Sequence, residues 1–259
     1  MKDFTLTFYE ELLKSIMNAD YKIITFNESL NCKDSRYLIL RHDIDYLPEN
    51  ALRMALIEHK LGIKATYFFR IIPSVFNKDI ILKIFELGHE IGYHYEDMNL
   101  VYDIDYDKHL ELAFKSFCKN LEKIRKLVPI YTICMHGSPR SNYDNKELWT
   151  RYDYKKLDII GEPYLDIDFS DVFYITDTGR KWNNFLFSIR DKVYSSYDIK
   201  IKNSQHLIQL FKERKLPNRI MLNTHPHRWF DIGFYWYKEL LIQNIKNVIK
   251  FILIKISYK

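Results

Sequence analysis

Short apolar runs alternate along this chain with longer segments that carry apolar residues at helical spacing, and this alternation constrains the fold more than any other feature. Residues 37–40 form one run, residues 51–61 show helical spacing before Gly62, and residues 64–69 form the next run. Runs of this length are typical of buried strands, and a glycine at that position is typical of a helix end. These residues therefore predict a βαβ unit with parallel strands.

The same alternation continues beyond residue 69 and predicts an α/β fold with a parallel sheet, open or closed into a barrel. Further helices are predicted at about 79–87, 106–127 and 205–215 and from about 235, and further strands at 89–94, 131–135, 158–161, 172–176 and 220–223. With 259 residues, 47% of them hydrophobic, the chain can bury a full core, so we expect one domain with terminal additions.

The positive charge is concentrated at the C-terminal end of the sequence. The formal net charge is +5, but the last 22 residues alone carry +4, because five lysines there accompany the single acid Glu239. The remainder is close to neutral, so we expect no nucleic-acid partner.

The start of the sequence and its cysteines predict a cytoplasmic protein. Residues 1–5 contain an acid with no apolar segment after them, and no stretch reaches the ~18 apolar residues of a membrane span. Cys32, Cys118 and Cys134 show no C-x-x-C spacing, and an odd number of cysteines fits a reducing compartment.

Acidic and imidazole side chains stand where the predicted strands end, which is where parallel α/β folds form their sites. They are His42, Asp43, Asp45, His94, Glu96, Asp97, His136 and His225. Because side chains alternate along a strand, Asp43 and Asp45 should face the same side. Two carboxylates this close require a cation, and carboxylate with imidazole is the ligand set of zinc, manganese or iron rather than calcium.

Four segments resemble the successive motifs of the polysaccharide deacetylase (NodB-homology) family. They are residues 41–45 (RHDID), 62–69 (GIKATYFF), 88–94 (GHEIGYH) and 223–226 (NTHP). The resemblance is greatest to a divergent branch found with bacterial surface-polysaccharide genes, such as those for O-antigen or capsule. It implies a distorted (β/α)₇ barrel over residues 37–230, with an N-terminal helix-strand extension over 1–36 and a C-terminal amphipathic helix over 231–259. It also implies hydrolysis of an N- or O-acetyl group on a sugar.

The resemblance assigns Asp43 as the catalytic base and Asp45 as a ligand of a divalent metal ion, with zinc the expected metal. The family has adjacent aspartates where this sequence has Ile44 between them, so an exchange of the two roles stays open. A divalent ion would acidify water and stabilise an oxyanion, and Asp43 would accept the proton of the attacking water.

His94 matches the first histidine of the family's H-x-x-x-H metal pair, but Met98 stands where the second would be. We expect His136 to be the third ligand, because it ends a predicted strand beside the site. Glu96, Asp97 and His42 are the alternatives.

His225 matches the family's catalytic acid, and Asp177 resembles the carboxylate that orients it. The acid is needed because an amine leaves only when it is protonated. The expected substrate is a sugar or glycan, nucleotide-linked or lipid-linked, and its expected contacts are His42, Arg140, Arg180, Trp182 and Trp229. Arg180 or Arg140 could instead steady Asp43, Trp182 could be a hydrophobic plug, and His227 with Arg228 could form a solvated turn.

The last helix has an apolar stripe at Leu241, Ile245, Val248 and Ile249, which continues to Ile252 and Ile256, and an opposite face with Gln243, Lys246, Asn247 and Lys250. The stripe predicts packing on the barrel or on another subunit. A peripheral contact with the inner face of an anionic membrane is the alternative.

Two other functions stay open at the level of sequence. Met98 stands where the family has a ligand, which leaves open a metal-independent amidohydrolase that acts on another carbon–nitrogen bond. The irregular spacing of Asp43 and Asp45 is also compatible with a catalytically inactive glycan-binding protein.

Overall fold

A computed structural model of the chain describes residues 2–137, 143–183 and 193–257, with side chains up to residue 249 in the last helix. Over these residues the strands are β1 (Lys22–Ile24), β2 (Tyr37–Ile44), β3 (Thr66–Phe69), β4 (Glu90–Tyr95), β5 (Ile133–Met135), β6 (Phe173–Thr176) and β7 (Arg219–Thr224). The helices are α1 (Leu6–Asn18), α2 (Phe26–Ser29), α3 (Pro48–Lys60), α4 (Lys78–Glu86), α5 (Tyr106–Arg125), α6 (Leu148–Arg151), α7 (Pro163–Asp166), α8 (Ser204–Lys212) and α9 (Phe234–Ser257).

The described strands form one seven-stranded parallel sheet. Six of them follow the order β5-β4-β3-β2-β7-β6, and β1 lies off this order. β1 pairs with the first half of β2, and β3 pairs with its second half. Within the described residues β5 and β6 are the two ends of this order, so the barrel is open between them. The fold is the distorted (β/α)₇ barrel that the sequence motifs imply.

β2 is the central strand, and it is longer than its apolar residues alone predict. All of its residues are buried, including Arg41, His42 and Asp43. A buried charge requires a partner, so each of these side chains must be hydrogen-bonded or paired. The strand therefore extends through the polar segment and carries it into the interior of the barrel.

The strand predicted at 158–161 is wrong. Asp158 has a left-handed backbone (φ 56°), which interrupts an extended chain, and Gly161 makes only an isolated bridge to Thr132. The other predicted strands and helices form within a few residues of the predicted limits.

The prediction that the apolar stripe of α9 packs on the barrel is wrong for its described side chains. Leu241, Ile245 and Val248 are exposed. Gln243 and Asn247 on the opposite face are buried. That face is anchored by polar groups: Asn247 Nδ2 donates to Gly179 O at 2.9 Å, and Trp236 Nε1 donates to Asp3 O at 2.8 Å. Among the described residues, no helix is long and apolar enough to cross a membrane.

Candidate active site

Side chains from three strands meet at the carboxyl edge of the sheet. Asp43 lies on β2 with Asp45 directly after it, His94 lies on β4, and His225 follows β7. His94 Nε2 is 3.9 Å from Asp43 Oδ2 and 3.4 Å from Asp45 Oδ1, and His225 Nε2 is 3.8 Å from Asp45 Oδ2. The structure therefore brings these side chains together around Asp45.

Asp45, His94 and His136 form a group of potential metal ligands. Asp45 Oδ1 is 3.4 Å from His94 Nε2 and 3.5 Å from His136 Nε2. Two donors that each lie about 2.1 Å from a tetrahedral zinc ion are about 3.4 Å apart, so these separations suit such an ion. Asp45 Oδ1 is also buried without a hydrogen-bond partner among the described residues, which is expected of an oxygen that binds a cation. The three side chains fit a divalent metal.

Each imidazole of this group has an oxygen atom close to the ring nitrogen that faces away from Asp45, and for His94 this contact is a hydrogen bond. His94 Nδ1 lies 2.9 Å from the backbone carbonyl of Cys134, which only accepts, so Nδ1 carries a proton and Nε2 is the ring nitrogen that faces Asp45. His136 Nδ1 lies 3.2 Å from Glu96 Oε2. Carbonyl and carboxylate partners of this kind are typical of histidines that bind metals.

Arg70 links the Glu96 carboxylate to the backbone of Asp45. Its Nε and Nη2 atoms donate to the two carboxylate oxygens of Glu96 at 2.7 and 2.6 Å, and its Nη1 donates to Asp45 O at 3.2 Å. Burial alone would raise the pKa of Glu96, but His136 and Arg70 outweigh it and lower the pKa to about 2. Glu96 is therefore an anion beside His136, and Arg70 fixes the backbone at Asp45.

Asp43 is fixed by two side chains that donate to it. Arg41 Nε and Nη2 donate to its two carboxylate oxygens at 2.9 and 2.7 Å, and Asn223 Nδ2 donates to Oδ2 at 2.9 Å. Burial opposes the charge of Asp43, but Arg41 and then His94 outweigh it and lower its pKa to about 2. Asp43 is thus ionised at neutral pH, and one of the roughly four acceptor positions of a carboxylate remains open.

Asp43, His94 and Cys134 form a second group with metal-ligand chemistry. Arg41 Nη2 lies between its members, with hydrogen bonds to Asp43 Oδ2 at 2.7 Å and to Cys134 Sγ at 2.7 Å. A fixed positive charge at this position repels a cation, so the group around Asp45 is the better metal site.

His225 is held by a buried carboxylate. Its Nδ1 is 2.6 Å from Asp177 Oδ1, and Trp229 Nε1 and Arg228 Nη1 donate to the same carboxylate at 2.8 and 2.7 Å. Burial would raise the pKa of Asp177, but Arg228 and His225 outweigh it and hold the pKa well below its usual range. Asp177 therefore keeps the proton on His225 Nδ1 and turns Nε2 towards Asp45.

Three of the predicted substrate contacts have side chains that are buried away from the site. His42 points to the opposite face of β2, with Nδ1 2.7 Å from Thr224 Oγ1 and Nε2 2.8 Å from Glu58 Oε1. Trp229 is fully buried and supports Asp177 instead of a sugar. Trp182 stacks on Phe4 and is the hydrophobic plug that the sequence left open as the alternative.

The arginine predictions have different outcomes. Arg180 does not bond Asp43: it is buried, donates to Asp3 O at 3.3 Å and lies over the ring of Trp236. Arg140 lies outside the described residues. The idea that His227 and Arg228 form a solvated turn is also wrong, because both are buried.

The alternative residues for the third metal ligand lie away from the group formed by Asp45 and His94. Met98 is a core residue, His42 faces away, and Glu96 lies behind His136. Asp97 accepts from Ser116 Oγ at 2.7 Å and from Asn120 Nδ2 at 2.8 Å, which ties it to α5 and not to the site.

Sequence reasoning gave Arg41, Asn223, Arg70 and Arg228 no role. The signal for Arg41 was present, because it stands two residues before Asp43 and alternation places both on one face of β2. Arg70 lies in a loop and Arg228 in a single 3₁₀ turn, where sequence spacing does not give the direction of a side chain.

The comparisons with known proteins reach only solved structures of low similarity. Neither a family model nor a curated protein matches the chain. A CE4 family pseudoenzyme from Bacillus anthracis is similar over 83% of this chain, with 12% identity and a TM-score of 0.45, and the match covers 62% of that structure. The chain thus spans slightly less than two thirds of that protein's length.

Two further structures are similar to the chain. A family 4 carbohydrate esterase from Bacillus anthracis shows 14% identity and a TM-score of 0.37, over 90% of this chain and 83% of the esterase. The peptidoglycan deacetylase PdaC from Bacillus subtilis shows 14% identity and a TM-score of 0.36, over 84% of this chain and 95% of the deacetylase. These similarities are low, and the function of this chain is inferred from its own side chains.

Proposed function

We propose that this chain is a metal-dependent hydrolase that removes an acetyl group from an N- or O-acetylated sugar. The observation that carries the proposal is the convergence of Asp43, Asp45, His94 and His225 on one small region of the carboxyl edge. The site chemistry supports hydrolysis of an amide or ester. The acetylated sugar is supported by the sequence motifs that resemble polysaccharide deacetylases.

Asp45, His94 and His136 would hold the metal. When bound there, a divalent ion would supply positive charge that acidifies water and polarises a carbonyl oxygen. Asp45 has a carboxylate suited to this task, because His136, His94 and His225 outweigh its burial and hold its pKa well below the usual range.

Asp43 would act as the base. It is ionised, next to the ligand group and held by Arg41 and Asn223 with one acceptor position open. It can therefore take the proton of an attacking water without moving. A base in this position is typically worth a factor of 10²–10⁴ in rate.

His225 would act as the acid on the other side of Asp45. Its Nε2 faces the ligand group, while Asp177 stabilises the charged ring through Nδ1. A proton delivered from Nε2 to the departing nitrogen lets an amine leave. Trp229 and Arg228 would act indirectly, because they fix the carboxylate that aligns His225.

The expected substrate is a nucleotide-linked or lipid-linked sugar precursor of a surface polysaccharide, acted on in the cytoplasm. The resemblance of residues 41–45 and 88–94 to the surface-polysaccharide branch of the family supports this assignment. The identity of the sugar carrier is tested by comparing acetate release from several acetylated sugars.

The test is release of acetate by zinc-loaded protein from N-acetylglucosamine oligomers, a nucleotide-linked N-acetylhexosamine and an O-acetylated sugar. We expect turnover of at least one of them and a loss of about 10²–10⁴ in kcat for Asp43→Asn. Asp79→Asn is the matched control, because Asp79 is exposed on α4 and should keep full activity. Equal activity of Asp43→Asn and the unsubstituted protein would refute the role of Asp43.

A further inference from the structure

The described part of α9 presents an apolar stripe to solvent. The α9 apolar stripe comprises Phe234, Tyr237, Leu241, Ile245, Val248 and Ile249. Its side chains are more than half exposed, with Leu241 at 64% and Val248 at 59%. Adjoining apolar side chains at this exposure mark an interaction surface, because a single domain rarely leaves a row of them in water.

The stripe cannot turn inward, because the opposite face of α9 is anchored. Trp236, Gln243 and Asn247 are buried there. Asn247 bonds both Gln243, at 2.7 Å, and the carbonyl of Gly179, at 2.9 Å. Rotation of the helix would bury the stripe only by leaving these polar groups without partners. The stripe therefore requires an occupant from outside the fold described here.

The charges beside the stripe point to an anionic occupant. Lys238 is exposed on α9 at the edge of the stripe, and Lys2 Nζ lies 5.0 Å from the ring centroid of Tyr237. Glu239 is the only acid in the α9 sequence, and it is partly buried. Two copies of the chain paired through this stripe by a two-fold axis would bring the same lysines together, which disfavours self-association.

The aromatic residues at the start of α9 favour a lipid surface over a soluble anion. Phe234, Tyr235 and Tyr237 are each more than half exposed and adjoin the aliphatic part of the stripe. Aromatic rings of this kind settle at the headgroup level of a bilayer, while aliphatic side chains enter its apolar boundary.

We propose that the α9 apolar stripe docks on the surface of a bilayer that contains anionic lipids, with Lys2 and Lys238 near the headgroups. The surface would lie about 10 Å from Gly179, which is roughly the width of a helix. Gly179 stands two residues after Asp177, so docking places the candidate active site beside the membrane. The binding is separate from turnover and does not depend on the proposed hydrolysis.

The experiment is co-sedimentation of the full chain with two kinds of vesicle. One kind is phosphatidylcholine alone, and the other replaces part of it with phosphatidylglycerol. We expect binding to the phosphatidylglycerol vesicles that weakens with added salt, because the lysine contribution is screened. Absence of binding to both kinds of vesicle would overturn the proposal.

Variants of exposed side chains test the stripe without disturbing the core. The triple variant Leu241→Gln, Ile245→Gln, Val248→Gln should bind about 100-fold more weakly or not at all. The matched control is Ile104→Gln, Ile160→Gln, Leu165→Gln, whose side chains are also exposed but lie elsewhere, and it should bind as the unsubstituted protein does. Equal loss in both variants would overturn the assignment to α9.

Lysine variants test the charge. Lys2→Gln with Lys238→Gln should weaken binding about 30-fold, since each lysine near an anionic surface contributes about fivefold. Lys60→Gln with Lys108→Gln is the charge-matched control on other exposed positions. A protein that sediments as a dimer without lipid, and becomes a monomer when the stripe is substituted, would overturn the proposal in favour of a second copy.

Discussion

At the scale of single residues, the candidate site depends on side chains that are fixed before any ligand arrives. Arg41 and Asn223 hold Asp43, Asp177 holds His225, and the Glu96 carboxylate lies beside His136. Groups that are already oriented avoid the cost of reorganisation when charge develops in a reaction. The roles of the supporting residues can be separated by measurements other than overall activity.

Glu96→Gln tests the support of the proposed third ligand. We expect a 10–100-fold loss of zinc affinity, because an uncharged amide beside His136 Nδ1 makes the ring a weaker ligand and leaves Arg70 without its anion. The measurement is a zinc titration against a competing chelator. Glu86→Gln, an exposed substitution on α4, is the control. Unchanged affinity in both variants would show that Glu96 does not support a metal ligand.

His225→Gln tests the proton donor through the leaving group. We expect a fall of about 10²–10⁴ in kcat on an N-acetylated sugar, whose amine must be protonated to leave. With 4-nitrophenyl acetate the fall should be much smaller, because nitrophenolate leaves without a proton. The comparison is made by steady-state kinetics on both substrates. An equal fall on the two substrates would contradict the role of His225 as acid.

Prediction from sequence was most successful where alternation along a strand fixes direction. Asp43 and Asp45 share a face as predicted, and His136 lies beside His94 because both stand near the ends of neighbouring strands. The sequence predicts Trp182 and Trp229 as substrate contacts because it does not distinguish an exposed aromatic residue from a buried one. Their burial depends on the packing of segments that are distant along the chain.

At the scale of elements, the close approach of β3 and β4 aligns the strand ends that carry the site. Gly92 on β4 faces Phe68 on β3, and a Cβ atom at Gly92 would come within 2.3 Å of the Phe68 ring. Phe68 is fully buried, so its ring has little space into which it could move. Close packing here keeps β4, and with it His94, at its distance from β2.

Gly92→Ala should therefore destabilise the fold. We expect a loss of about 1–3 kcal/mol in the free energy of unfolding, which is typical of an overpacked core. Gly233→Ala is the control, because no atom lies within 4 Å of the position its Cβ would take. It should change stability by less than about 0.5 kcal/mol. Urea denaturation of both variants makes the measurement, and equal stability of the two would contradict the packing of Gly92 against Phe68.

At the scale of the whole molecule, the fold was predictable because strand and helix periods are local properties of the sequence. The direction in which the α9 stripe faces was not predictable from the sequence. Hydrogen bonds of Gln243 and Asn247 hold the polar face of α9 against the protein, so the apolar stripe faces outward.

A second feature of the whole molecule is a buried polar cluster around Glu58 on α3. Tyr67 donates to this carboxylate at 2.7 Å, Tyr9 of α1 also donates to it, and His42 of β2 lies 2.8 Å away.

Glu58→Gln tests how this cluster contributes to stability. Burial opposes the charge of Glu58, but His42 outweighs it and lowers the pKa below its ordinary value of 4.5. The folded state then binds fewer protons than the unfolded state, so the stabilisation is present above about pH 4.5 and is lost as the pH falls further. At pH 7 we expect the variant to be about 3–5 kcal/mol less stable, as when one partner of a buried pair is removed.

The difference between the two proteins should shrink on acidification below pH 4.5. Urea denaturation at pH 7 and at pH 4 makes the measurement. A difference that stays constant or grows as the pH falls would contradict a lowered pKa for Glu58.

The proposed hydrolysis requires that Asp45, His94 and His136 hold a divalent metal beside Asp43. Anomalous scattering from crystals of the zinc-loaded protein, measured on both sides of the zinc absorption edge, would locate such an ion. We predict one strong peak bonded to Asp45 Oδ1, His94 Nε2 and His136 Nε2. An empty position at these atoms under saturating zinc, or a peak held by Asp43 and Cys134 instead, would contradict the account.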